Sequence, residues 1–278
     1  MIFGGITILS IVIAAVTSIC MGDFSGFGWL GIMAAAFLGS FLVLTVLAFL
    51  FLLLLCALVD KNKPQEEDSG FYRFWMYRYI EAAISVFMIR LTAEGLEKTP
   101  KDGRFLLVCN HQNHADPGVL HHCFRSSKLA FIAKKESADY FVVGQFMHKT
   151  LCQFVNREND REALKTIIKC IQMIKNDQVS VGVFPEGGII EDYKVYPFRS
   201  GVLKIAQKAN VPIVVCTLKG TTDLFRNIKR LKPTYVEMHL LDVIPVEELT
   251  GRNTVQLGER IRTMMIADLG EEWRVTEE

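Results

Sequence analysis

Four residues separate two side chains that together could move a proton. His111 stands in the stretch "NHQNHAD", just after an apolar run, and Asp116 closes that stretch ahead of Pro117. An imidazole can accept a proton from an alcohol near neutral pH. A carboxylate on its other nitrogen fixes the tautomer and stabilises the imidazolium that forms. Attack of an alcohol on an activated acyl group needs that pair and little else. The spacing leaves other readings open. Asp followed by Pro also makes a good helix N-cap and first helical residue. His111, His114 and Asp116 could begin a zinc site, yet no further Cys or His cluster follows at metal-ligand spacing. Cys109 ends the apolar run and reads as a buried thiol rather than a nucleophile. GxSxG, Walker-lysine and GxGxxG motifs are absent. An enzyme with no nucleophile of its own would catalyse direct transfer between two bound substrates.

Residues able to hold an anion lie further along. Arg157 ends "FVNR", and Arg199 sits in "PFRSG" just before an expected helix N-terminus, where backbone N–H groups favour anions. Glu186 in "FPEGG" is followed by Gly187 and Gly188, which would let a ligand approach the backbone closely. Simple turns and a solvated surface would explain the same residues without a ligand.

The elements that must position these residues alternate between apolar and amphipathic. Strands are expected at 104–109, 128–133, 152–155, 179–184, 211–218 and 234–244. Helices fit between them, with Leu164, Ile167, Ile168, Ile171 and Ile174 at helical intervals and further helices at 200–210 and 254–269. The pattern implies an α/β domain over 92–278, with a mainly parallel central sheet flanked by helices and one antiparallel edge. In such sheets ligands gather at the carboxyl ends of strands, where His111, Arg157 and Glu186 all fall.

The first fifth of the chain was built for a different solvent. Between Met1 and Val59 the single charged side chain is Asp23, in a chain of 278 residues with 31 basic and 30 acidic groups. The uncharged stretches 2–22 and 29–59 both exceed the roughly 20 residues needed to cross a bilayer. Residues 1–60 therefore read as an N-terminal hydrophobic membrane anchor, a two-helix transmembrane hairpin. No Lys or Arg precedes the first stretch, so a cleaved signal peptide fits poorly. Lys61 and Lys63 follow the second, which places the remainder in the cytoplasm. Over 61–91 the chain reads as a linker and an amphipathic helix. Its stretch 71–93 interleaves aromatics with Arg73 and Arg78, as in a helix lying among lipid headgroups or one packed on the next domain. Net charge is only +1, which gives no warrant for nucleic acid binding. The seven cysteines form no CxxC pair and mostly lie in apolar runs, as expected for free thiols in a reducing compartment.

Taken in order, these blocks resemble the 1-acyl-glycerol-3-phosphate acyltransferase family. "NHQNHAD" matches its His-x4-Asp block, "FVNR" its arginine block, "FPEG" its third block, "VPIVV" its fourth, and "FRSG" its downstream Phe–basic–x–Gly element, across about residues 92–245. The resemblance implies the glycerolipid acyltransferase fold, with His111 as catalytic base and Asp116 as its partner. It implies Arg157 and Arg199 on a phosphate, Glu186 on a glycerol hydroxyl, and Asn110 and Gly187 beside the substrate. It also implies no cofactor, with acyl-CoA or acyl carrier protein as donor, a lysophospholipid as acceptor, and a bilayer as the working surface. One departure stands out: the Thr and Arg that usually follow "FPEG" are replaced by Gly188 and Ile189. Another lysophospholipid, an ornithine-derived lyso-lipid or glycerol-3-phosphate are the alternative acceptors. A non-catalytic lipid-binding protein on the same fold is the alternative of another class.

Overall fold

The computed structural model describes residues 2–21, 27–156, 160–190 and 192–275. It divides into two compact units, Met1–Lys63 and Pro64–Glu278.

The first unit holds helices α1 (Ile2–Met21) and α2 (Gly28–Ala57). Their most apolar windows are only 17% and 11% buried, so they are not core helices of a soluble domain. Each is apolar all round, which suits lipid on every side. At 1.5 Å per residue α2 is about 45 Å long, longer than the ~30 Å hydrocarbon core. The hydroxyls of Thr7, Thr17 and Thr45 return to carbonyls four residues back, at 2.7–2.8 Å, which satisfies those three donors in apolar surroundings. Both helices are long and apolar enough to span a membrane.

The second unit runs α3 (Gly70–Val86), β1 (Ile89–Glu94), β2 (Leu106–Cys109), α4 (Asp116–Cys123), β3 (Leu129–Lys134), α5 (Val143–Lys149), β4 (Gln153–Val155) and α6 (Asp160–Lys175). There follow β5 (Ser180–Val183), α7 (Lys204–Ala209), β6 (Ile213–Lys219), α8 (Leu224–Lys229), β7 (Thr234–Ile244), α9 (Val246–Leu249) and α10 (Thr254–Leu269). The seven strands form one sheet in the order β1-β7-β6-β2-β5-β3-β4. β6, β2, β5, β3 and β4 are parallel, while β7 pairs antiparallel with β6. Every residue of β2 and β5 is buried. Such continuous apolar strands are what a sheet covered on both faces requires. The α/β class and the mainly parallel sheet agree with the sequence.

Two expectations are corrected. The helix of residues 71–93 ends at Val86, where Met88 turns the chain with a φ of 51°. Beyond it Ile89–Glu94 is a strand, parallel to β7 in the register Ile89↔Thr234 to Glu94↔His239. The antiparallel strand β7 is consequently one place in from the edge, and β1 takes the edge. Six residues that mix Ile, Leu and Ala with Arg, Thr and Glu do not by themselves distinguish strand from helix; the free edge of β7 made the choice. The arginines of α3 also turn inward. Arg73 is buried, with its guanidinium on Asp68 at 2.7–2.9 Å and on the Leu129 and Thr150 carbonyls at 2.9 and 3.1 Å. Arg78 pairs with Glu81 at 3.0 Å. Of the two readings left open for this helix, packing on the next domain is the one its arginines fit: both are occupied within this unit, and Arg73 fastens α3 to it.

Candidate active site

Strands β2 and β5 are neighbours and run the same way, from Leu106↔Val181 to Val108↔Val183. Their carboxyl ends therefore deliver "NHQNHAD" and "FPEGG" side by side. Asp116 is the first residue of α4, with Ala115 as N-cap, so its side chain does not cap that helix. It reaches back instead. Its Oδ2 accepts from His111 Nδ1 at 2.9 Å, from the Gln112 N–H at 2.7 Å and from the Asn113 N–H at 2.8 Å. One carboxylate oxygen thus shapes the loop and orients the imidazole, and the capping reading is replaced by this tie. On its other side His111 stacks on Phe184, with centroids 4.0 Å apart and planes at 16°. Nδ1 is committed to Asp116, leaving Nε2 as the nitrogen that can take a proton.

The backbone N–H of His111 donates to Glu186 Oε1 at 3.1 Å. Burial pushes the Glu186 carboxyl up to about 8, against the N–H groups of His111 and Tyr196, which favour its charged form. Glu186 can therefore donate as well as accept a hydrogen bond at neutral pH. Gly187 has a φ of 85°, and a Cβ there would lie 2.7 Å from Arg199 Nε. Only glycine lets the Arg199 side chain cross that turn. The Arg199 N–H also donates to the Pro185 carbonyl at 2.8 Å, docking "FRSG" on "PEGG". His111, Asp116, Glu186, Gly187 and Arg199 thus belong to one site.

Asn110 does not face it. It is 2% exposed, its Nδ2 donates to the Leu218 carbonyl at 2.9 Å, and its Oδ1 accepts from the Leu218 N–H at 2.8 Å. Its amide mimics a strand pairing and ties β2 to β6, so its expected place beside substrate is corrected to a structural one. Arg157 lies outside the described residues. Burial drives the Cys109 thiol well above its usual range, which disables it as a nucleophile. His111, His114 and Asp116 assemble no metal set: among the described residues no three His, Cys, Asp or Glu side chains gather to hold an ion.

The imidazole faces a cavity of about 790 Å³, within the ~300–1,000 Å³ of typical ligand pockets. Its walls come from α3, α4, the loop before α5, and β3, including Ile80, Val119, Phe131 and Phe146. Phe184 stacks on Phe131 at 5.5 Å, and Phe131 meets His121 edge-on at 5.1 Å, so one aromatic wall leads from the base into the cavity. Gly182 on β5 makes room for it, because a Cβ there would meet the Phe131 ring. Burial lowers the His121 pKa to about 3, so this second histidine is a neutral part of the lining. The aromatic wall and the α3 roof were not found from sequence: each needs partners from several elements. Gly188 and Ile189, which stand where the family motif has Thr and Arg, also line this apolar space.

The family model described as Acyltransferase matches residues 90–219. A Caenorhabditis elegans protein, acl-2, is 28% identical over 184 residues, covering 64% of this chain and 64% of its own length. The Saccharomyces cerevisiae 1-acyl-sn-glycerol-3-phosphate acyltransferase is 25% identical over 228 residues, covering 78% of this chain and 70% of the yeast protein. The crystal structure of the Thermotoga maritima 1-acyl-sn-glycerophosphate acyltransferase PlsC superposes with a TM-score of 0.60 at 23% identity. That match covers 74% of this chain and 81% of the other, and shows the shared fold. The matched region contains both strand ends that carry the dyad and "FPEG", and over residues 90–219 the chain is similar to the Acyltransferase family.

Proposed function

We propose that the protein moves a fatty acyl group from acyl-CoA or acyl carrier protein to the free hydroxyl of 1-acyl-glycerol-3-phosphate, giving phosphatidic acid. The observation that carries this reading is the His111–Asp116 pair, joined at 2.9 Å, at the wall of an apolar cavity with room for a fatty chain. His111 Nε2 takes the acceptor's hydroxyl proton as its oxygen bonds to the thioester carbonyl carbon. Asp116 holds Nδ1–H and balances the imidazolium. Collapse of the tetrahedral adduct breaks the carbon–sulfur bond, and the proton passes from His111 to the departing thiolate. Glu186 hydrogen-bonds a glycerol oxygen, and Arg199 with Arg157 holds the phosphate. The reaction needs no cofactor beyond its two substrates. The membrane helices keep the enzyme at the surface where acceptor and product reside. Lys61 and Lys63 after the second helix support a catalytic unit facing the cytoplasmic side of the cell membrane.

A specific observation favours a second reading of the acceptor. The aliphatic Ile189 lines the cavity in place of the motif's cation, so the site has one donor fewer for an anion. Another lysophospholipid, an ornithine-derived lyso-lipid or glycerol-3-phosphate would then be the acceptor. The test is thiol release by the full chain in detergent. It is given long-chain acyl-CoA or acyl carrier protein, with each acceptor in turn, beside His111→Ala. Release that depends on lysophosphatidic acid, and falls about 10²–10⁴-fold without the base, is the expected result. Release with another acceptor supports the second reading, and an undiminished His111→Ala rate rejects the mechanism.

A further inference from the structure

The cavity has a rim whose chemistry the transfer reaction does not use. On one side, Tyr140, Val142 and Val143 line the cavity, yet Tyr140 and Val143 are also about half exposed, and Phe141 between them is 61% exposed. Val142 holds this hairpin bend with a φ of 72° and a ψ of −63°, closed by the Val143 N–H on the Phe141 carbonyl at 3.0 Å. A β-branched residue in that region is strained, and here the strained bend turns Phe141 outward. On the other side, Phe225 of α8 lines the cavity and is also half exposed. At the end of α8 the chain turns through Leu231, which has a φ of 49° and is 80% exposed. Lys229, Arg230 and Lys232 surround it and are exposed. Unlike Arg226, which pairs with Asp223 at 2.7 Å, none of the three has a carboxylate partner among the described residues.

Contiguous exposed apolar side chains usually mark an interaction surface. Aromatic and aliphatic groups bordered by unpaired cations match a bilayer's acyl boundary and its anionic headgroups. We infer that the Tyr140–Val143 bend and the Phe225–Lys232 segment form a docking rim that seats the mouth of the cavity on an anionic lipid bilayer. Phe141 and Leu231 enter the acyl boundary, and Lys229, Arg230 and Lys232 lie at the phosphates. A lipid chain could then pass between bilayer and cavity without crossing water. The inference rests on the proposed function only for why the mouth should face lipid; docking itself is read without turnover.

The test uses the full chain reconstituted in phosphatidylglycerol bilayers with brominated acyl tails, which quench nearby indoles. Phe141→Trp and Leu231→Trp are each compared with the parent, and the difference is the signal of the added indole. Val255→Trp, on the exposed start of α10 and away from the cavity lining, is the control. The expected result is strong quenching at 141 and 231 and none at 255. Neutralising Lys229, Arg230 and Lys232 together to Gln should relieve that quenching. Each cation near an anionic surface is worth about a fivefold factor, so the docking equilibrium constant should fall on the order of 100-fold. Quenching at 141 and 231 no stronger than at 255 overturns the inference. So does quenching that ignores the three Gln substitutions while the KM for acyl-CoA rises, because those cations would then serve the donor's phosphates. A failed acceptor assay with intact quenching would instead count against the proposed reaction alone.

Discussion

Asp116→Asn separates the two jobs of that carboxylate. One oxygen, Oδ2, accepts all three N–H donors at 2.7–2.9 Å. An amide oxygen can occupy the same point, so the loop and the imidazole orientation survive. What is lost is charge. Hydrogen bonds to an ionised acceptor are worth about 1.5–3 kcal/mol, against about 0.5–1.5 for neutral ones. Three weakened bonds make about 3–4.5 kcal/mol, or ~6–18 °C in Tm for a unit of this size. The transition state loses more. An imidazolium and a carboxylate about 3 Å apart attract by roughly 5–6 kcal/mol at an effective dielectric of ~20, and a neutral amide recovers only part of that. Turnover should therefore fall on the order of 10²–10⁴-fold, with the KM of both substrates nearly unchanged. Asp116→Ala should behave differently, leaving two backbone N–H groups without an acceptor, at about 1–3 kcal/mol each if they stay buried, and melting well below the Asn variant. The assays are thiol release under saturating donor and acceptor, and thermal melting in the same detergent. An Asn variant within tenfold of the parent turnover would refute the charge argument. An Ala variant as stable as the parent would refute the structural one.

Asn110→Ala should cost about 2–4 kcal/mol by stranding both polar groups of Leu218, with no selective rise in substrate KM; a KM effect without lost stability would return Asn110 to the substrate. Gly182→Ala should force the Phe131 ring aside and destabilise by about 1–3 kcal/mol, with a shift in acyl-chain preference read from competing donors. Glu186 binds a proton in the folded chain up to about pH 8 that the unfolded chain releases near 4.5. The stability contributed by its neutral form is thus complete below about 4.5 and is lost as pH rises through 8, by at most about 5 kcal/mol. Glu186→Gln should flatten that part of the stability profile, measured by melting between pH 5 and pH 9, and parallel profiles for the two chains would reject the assignment.

The sequence by itself determined the pieces whose physics is local. Two long uncharged runs make helices long and apolar enough to cross a membrane, alternating apolar and amphipathic runs build an α/β sheet, and His111 with four residues between it and Asp116 can close on itself within one loop. Motif order placed Glu186, Gly187 and Arg199 near that pair, and the adjacent carboxyl ends of β2 and β5 carry them there. Tertiary structure decided whatever depended on partners distant in the chain. Ile89–Glu94 became a strand because β7 offered a free edge. Arg73 turned inward because Asp68 and the Leu129 and Thr150 carbonyls were there to take it. Asn110 left the substrate because Leu218, over a hundred residues away, presented a peptide group to match its amide. The cavity, with α3 as roof and Phe131 in the space left by Gly182, belongs to no single segment. A polar or aromatic side chain announces what it can bond, but burial and the nearest unmet partner decide what it does bond, and both are properties of the assembled fold.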